Sequence, residues 1–112
     1  MIESTFDIES KLDFIFFSLS DATRRDIIKR VSVREYNIGE LANLYDMSLN
    51  AVSKHIMILE RASWVSKKRK GKFSYVYLSP KPFQSMADYL DYYKQFWEDK
   101  LNSLEKYLSK DD

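Results

Sequence analysis

A mainly α fold carrying one small β-hairpin is what this sequence predicts, on three observations. Apolar residues recur at helical spacing in five stretches, and side chains able to cap a helix precede three of them. The strand-like runs, Trp64-Val65-Ser66 and Phe73-Ser74-Tyr75-Val76-Tyr77-Leu78, are β-branched and aromatic, and they flank a basic turn. The last stretch is long and follows alternating four- and three-residue apolar steps, the pattern of a coiled-coil-like seam.

The first helix spans about residues 8–19. Ile8, Leu12, Ile15 and Leu19 form one stripe, while Phe14 and Phe17 add apolar surface on other sides, so the helix needs two partners. Ser20-Asp21 can cap a second helix, Ala22 to Val33. There Ile27, Ile28 and Val31 face inward, and Arg24, Arg25, Lys29 and Arg30 are expected outside. Asn37 with Glu40 three residues on has capping-box spacing and opens a short third helix, Ile38 to Leu44, buried through Ile38, Leu41, Ala42 and Leu44. Tyr45-Asp46-Met47 then turns into Ser48. Two short helices joined by so tight a turn make a helix-turn-helix.

Ser48 can accept from the free N–H groups of the fourth helix, in which Leu49, Val52, Ile56 and Leu59 recur as an inward stripe. Asn50, Lys54, Met57 and Arg61 project to the opposite side, with Ser53 beside them. Ser48 to Ala62 spans ~22 Å, and a helix of that bulk fits a B-DNA major groove about 12 Å wide. An amide, a hydroxyl and a cation suit base edges and phosphates, although the same set suits any solvated helix face. The neighbouring hairpin tips the balance. Lys67-Lys68-Arg69-Lys70-Gly71-Lys72 lies between the strand runs, and Gly71 supplies the positive φ of a tight hairpin, so the cations are expected at and near one tip. In isolation this is a solvated edge hairpin. Directly after a candidate recognition helix, it reads as a wing.

Pro80 and Pro82 are expected to end the hairpin and leave Lys81 in an extended link. The last helix covers about 83–108. Its seam is Phe83, Ala87, Leu90, Trp97, Leu101, Leu104 and Leu108, broken where Lys94 takes the expected place, and Tyr89, Tyr92, Tyr93 and Phe96 spill beyond it. One chain of this size would struggle to cover both terminal helices. A two-fold dimer covers them through Leu12, Ile15 and Leu19 of the first helix and Leu90, Trp97, Leu101, Leu104 and Leu108 of the last.

The chain has 112 residues, which fits a single domain over 1–112. At 45% hydrophobic and 31% charged, it is globular in composition and not disordered. Net charge is only +1, but its distribution is uneven. Ser48 to Tyr75 carries seven Lys or Arg against one acid, whereas Met1 to Asp21 has one Lys against five acids, and Pro82 to Asp112 has four Lys against seven acids. A basic middle between acidic ends both attracts phosphate and orients the molecule upon it. No cysteine is present, which excludes disulfides and Cys-ligated zinc, and one histidine leaves little for any metal site. No apolar run approaches the ~18 residues needed to cross a bilayer, and a cytoplasmic protein is the expectation.

The order of helix, capped helix, helix-turn-helix, basic hairpin and long helix resembles the ArsR family of winged helix-turn-helix transcriptional repressors. The matching residues are Leu19-Ser20-Asp21-Ala22-Thr23-Arg24-Arg25-Asp26-Ile27-Ile28, Ile38-Gly39-Glu40-Leu41-Ala42, Met47-Ser48 through Ala51-Val52-Ser53-Lys54-His55-Ile56-Met57-Ile58-Leu59, and Val65 through Tyr77. The resemblance implies that the fourth helix enters the major groove, the wing approaches the minor groove or backbone, and the terminal helices make a dimer. Carried over, it implies groove contacts from Ser48, Asn50, Ser53 and Lys54 and wing contacts from Arg69, Lys70 and Lys72; Met57 and Arg61 on the same helix face and Lys68 on the hairpin complete the expected DNA-binding set. Double-stranded DNA and a second copy are the expected partners. The chain departs from the metal-sensing members of that family. Its third helix has no cysteine, and its last helix offers acids such as Asp88 and Asp91 but no histidine, so neither metal nor cofactor is expected. Asn50 stands where proline is frequent, and Ser63-Trp64 replaces a usual Gly-Leu after the recognition helix.

His55 is a candidate phosphate contact or pH sensor. Lying about 60° from the centre of the inward stripe, it better suits a packed, hydrogen-bonded role. The last helix with Phe14 and Phe17 could line an aromatic pocket for a small effector, but no convergent polar group supports it. Ser53 and His55 point different ways on one helix, and no paired-carboxylate motif or glycine-rich phosphate loop exists, so no enzyme is expected. The alternative to DNA binding is a protein-interaction module built on the same fold.

Overall fold

Three central helices each begin at a side chain that accepts a hydrogen bond from its own first turn. In the computed structural model, which describes residues 5–110 and the side chains of 10–110, Asp21 accepts from Arg24 N at 3.1 Å to open α2 (Ala22–Val31). Asn37 and Glu40 form a complete capping box on α3 (Ile38–Tyr45), with bonds of 2.8 and 3.1 Å. Ser48 Oγ accepts from Ala51 N at 3.1 Å to open α4 (Leu49–Arg61). Before them lies α1 (Thr5–Ser18). The Ile8 side chain expected on its stripe lies outside the described residues.

Two helices end without glycine. Asp46 (φ 52°) and Ser63 (φ 64°) take the left-handed conformation themselves. The Met47 and Trp64 N–H groups reach back to Ala42 O (3.1 Å) and Leu59 O (2.9 Å), and the Asp46 and Ser63 N–H groups to Asn43 O (3.4 Å) and Glu60 O (2.9 Å). This is the paired bonding of a Schellman end. Ser63 therefore fills the role of the glycine usual after this helix in the family the sequence resembles, at a steric cost that glycine avoids. α2 stops at Val31, two residues short of expectation, because Ser32 Oγ bonds Lys29 O and the chain turns away, leaving Val33 82% exposed.

Ile27, Leu41, Val52, Ile56, Leu59 and Val76 are fully buried, each worth about 1.5–3 kcal/mol of hydrophobic stabilisation. The inward stripes were thus legible at their centres and wrong at their edges. Leu44 and Leu49, expected inside, are exposed, because they sit in the last turn of α3 and at the first position of α4, where the two helices diverge around the turn. Arg24, expected outside, is buried.

The hairpin is part of a three-stranded sheet and not the two-stranded wing expected. β2 (Val65–Lys70) and β3 (Phe73–Leu78) pair antiparallel, and β1 (Tyr36–Asn37) adds to the other edge of β3, with Tyr36 opposite Val76 and Asn37 opposite Tyr75. A two-residue strand leaves no periodicity to detect, which is why β1 was missed. Gly71 takes φ +64° and Lys72 does not, the combination a two-residue turn needs when glycine comes first.

The chain divides into two compact units, Met1–Pro82 and Phe83–Asp112. The second consists of most of α5 (Lys81–Ser109). Lys81 is therefore helical and not in an extended link. Pro82 fits the first turn because its missing N–H would have had no helical partner there. Among the described residues, no helix is long and apolar enough to cross a membrane.

Candidate nucleic-acid interface

The buried stripe of α4 fixes which of its faces is left over. Val52, Ile56 and Leu59 are fully buried while Asn50, Ser53, Lys54, Met57 and Arg61 are exposed, as is the cap Ser48. All six sequence-predicted residues of this helix thus lie on accessible surface of one element. The core that orients them comes from α2, α3 and β2, which pack on α4.

On the wing, cross-strand pairing puts Lys68 with Tyr75 and Lys70 with Phe73 on one side, and Lys67 with Val76 and Arg69 with Ser74 on the other. The cations, expected at and near the tip, extend from it back along β2 as far as Lys67 and alternate between its faces. Two of them are already engaged. Lys67 Nζ is 3.3 Å from Glu60, and Lys70 Nζ is 2.9 Å from Glu35, whose hydrogen bond holds the Lys70 ammonium above its ordinary pKa. Both pairs are solvent-exposed and weak enough to exchange for another anion. Lys54 and Arg61 on α4, and Lys68, Arg69 and Lys72 on the wing, form no ion pair among the described residues.

Arg24 was missed as a determinant of this surface. Its Nε donates to Ser18 O (2.8 Å), Nη2 to Phe17 O (3.1 Å) and Ser20 Oγ (3.4 Å), and Nη1 to His55 Nδ1 on α4 (3.3 Å), with the guanidinium over the Phe17 ring. One sequence signal existed. A cation in the first turn of a helix opposes the macrodipole and needs a compensating environment. Trp64, at the entry to the wing, is 1% exposed and donates Nε1–H to Ser18 Oγ (2.8 Å), which donates to Ile15 O (2.6 Å). The end of α1 is thereby tied to both α4 and the wing.

Three carboxylates brace the helices behind α4, each held below its ordinary pKa. The Arg24 N–H lowers Asp21, the Tyr45 hydroxyl and then Arg30 lower Asp26, and the Asn37 N–H and then Arg34 lower Glu40. Tyr45 is pushed well above the usual phenol range by burial and by Asp26, to which it donates at 2.5 Å. Among the described residues, no group of three or more His, Asp or Glu side chains is placed to hold a metal ion.

Of the residues expected at a dimer interface, Ile15 is 5% exposed and so presents almost no surface, while Leu12 and Leu19 are half-buried. On α5, Leu90, Trp97, Leu101, Leu104 and Leu108 are all 52–60% exposed. Aromatic rings along the same helix meet one another at an angle, Tyr89 tilted on Tyr93 with centroids 4.9 Å apart and Phe96 edge-to-face with Trp97 at 5.9 Å.

A tightly turned helix pair whose second member exposes a polar, cationic face, followed by a basic hairpin that a short strand before the pair completes into a three-stranded sheet, is a winged helix-turn-helix. No protein-family model matches the chain. It is 37% identical over 81 residues to the uncharacterized HTH-type transcriptional regulator YuzN of Bacillus subtilis (strain 168), covering 66% of this chain and 88% of that one. It is 30% identical over 76 residues to the transcriptional repressor SdpR of the same organism, covering 68% and 84%. A crystal structure of an ArsR family transcriptional regulator superposes with a TM-score of 0.77 at 30% identity, over 88% of this chain and 97% of that one. The homodimeric winged helix-turn-helix DNA-binding domain Mb0332 of Mycobacterium bovis shares the fold at 15% identity, with a TM-score of 0.68 over 88% and 93%. The chain belongs to the ArsR family of winged helix-turn-helix transcriptional regulators, which are not enzymes.

Proposed function

We propose that the chain acts as a homodimeric repressor that binds an inverted repeat in double-stranded DNA. The observation that carries this reading is the exposed face of α4, where Asn50, Ser53, Lys54, Met57 and Arg61 follow the capping Ser48. Next to it in the chain is a wing whose Lys68, Arg69 and Lys72 form no ion pair among the described residues. Asn50, Ser53 and Lys54 read base edges; the wing and Arg61 hold phosphates, and Lys70 joins them by giving up Glu35. The exposed apolar seam of α5 supports pairing of two copies, with Leu12 and Leu19 as the α1 contribution. Two recognition helices then meet half-sites ~34 Å apart. Repression is favoured by the name of the SdpR relative.

Selecting duplexes from a random pool with purified protein, then titrating the winner against scrambled DNA, tests this directly. An inverted-repeat operator is expected, with a logarithmic salt slope near about −7 if each protomer neutralises about four phosphates. Asn50→Ala and Lys54→Ala should narrow the gap between operator and scrambled DNA, whereas Arg69→Ala and Lys72→Ala should weaken both about equally. Recovery of no duplex even in dilute buffer, together with a salt-insensitive complex with a protein, would replace the reading with that of a protein-interaction module.

A further inference from the structure

His55 is the chain's single histidine and follows Lys54 on α4, at the boundary between the exposed face and the buried stripe. Its Nδ1 lies 3.3 Å from Nη1 of Arg24, a residue 6% exposed. A guanidinium can only donate, so Nδ1 has to offer a lone pair. The geometry therefore selects the neutral imidazole with its proton on Nε2. The other arms of Arg24 are committed to Ser18 O, Phe17 O and Ser20 Oγ at the end of α1 and the turn after it. His55 is thus the acceptor through which α4 is fastened to a cation that the rest of the fold already holds still.

The charges around the ring are few. Asp21 Oδ1 is 3.9 Å from Nδ1, but the same oxygen accepts the Arg24 N–H at the start of α2. One turn to either side on α4 lie Ala51, Val52, Ile58 and Leu59, none charged. Glu60 is engaged by Lys67 of β2, and Glu40 of α3 by Arg34. Through Arg24, α1 contributes main-chain carbonyls, and no carboxylate but Asp21 is within ion-pair distance of the imidazole among the described residues. A proton arriving on Nδ1 removes the acceptor of Arg24 and sets two cations face to face. The Asp21 carboxylate, shared with a helix cap, offsets this only in part.

We propose that His55 is a pH-sensitive positioning residue for the reading face of α4. Neutral, it ties to Arg24 the edge of α4 that Val52, Ile56 and Leu59 do not hold, which sharpens the orientation of Asn50, Ser53 and Lys54; protonated, it drops that tie while the buried stripe stays packed, and sequence discrimination falls while general attraction to phosphate does not. This rests on the DNA-binding reading above, and the experiment has two arms so that the two can fail separately.

In the first arm, the ratio of operator to scrambled-duplex affinity is measured by fluorescence anisotropy at about pH 8 and about pH 5.5, the range over which an imidazole changes charge. The wild type should lose about fivefold or more of that ratio in acid. His55→Asn, whose amide oxygen can stand near Nδ1 but does not titrate, should keep its ratio within about twofold. Equal losses in the two proteins, or no loss in either, would overturn the proposal. In the second arm, with no DNA present, 15N NMR of the lone imidazole should show the Nε2–H tautomer at about pH 8, and its titration should move the amide signals of Ser18 to Arg24 along the same curve. A protonated Nδ1 at high pH, or a titration that leaves those amides still, sinks the switch whatever the DNA result. Absence of duplex binding at both pH values with the NMR coupling intact would instead sink the DNA-binding reading.

Discussion

α4 and α5 carry the same kind of apolar periodicity and meet opposite fates. In α4 the stripe of Val52, Ile56 and Leu59 loses all contact with solvent, whereas the seam of α5 from Leu90 to Leu108 stays half or more exposed. The difference lies in what the chain provides to cover each. α2, α3 and β2 close over α4, and Pro82 is the only buried residue of α5 among those described. A heptad-like pattern therefore states that a helix face requires a cover without stating whether the cover is in the same chain.

The sharpest way to break that contrast is truncation on each helix. Leu59→Ala should cost about 2–5 kcal/mol in urea unfolding, since it empties a site in a packed core. Leu101→Ala should leave the midpoint nearly unchanged in dilute protein. At high concentration it should shift the sedimentation equilibrium toward a single copy. If the two changes destabilised the dilute protein alike, α5 would be covered within one chain and the contrast would vanish.

Acid should act on the seat of α4 next. Asp21, Asp26 and Glu40 all sit below their ordinary pKa when folded. The stability each adds is complete above its unfolded value of about 4 and drains as pH falls through the lower folded value, since the unfolded chain then binds protons more readily. In the His55→Asn variant, whose residue 55 does not titrate, urea midpoints should be flat from neutral pH to about 5 and drop below it. Asp26→Asn should flatten part of that drop, and a midpoint indifferent to acid would remove these carboxylates from the bracing of α2 and α3.

The smallest effect is expected where α4 ends. Ser63→Gly relieves a left-handed non-glycine residue but loosens the unfolded chain, so a net gain of under about 1 kcal/mol should appear as a slightly raised melting temperature. A loss would show that the Ser63 side chain contributes more than its strained backbone costs.

Most of the architecture was legible because caps and apolar periods are local. Asp21, Asn37 and Ser48 announced three helix starts, and Gly71 announced the turn. The exposed face of α4 followed by subtraction from the buried stripe. What was not legible depended on partners distant in sequence. β1 exists because β3 lies beside it, Arg24 is inside because His55 and the end of α1 surround it, and Lys67 is neutralised by a glutamate on α4. The Schellman end at Ser63 was obscured for another reason. The glycine that usually signals it is missing, while the backbone bonding is kept.

Asn37 has two duties, because it pairs with Tyr75 in the sheet and caps α3 with its side chain. A residue that closes one element and opens the next leaves no slack between them. The hairpin and the helix pair are consequently geared together, with the end of one strand serving as the start of the first helix of the pair.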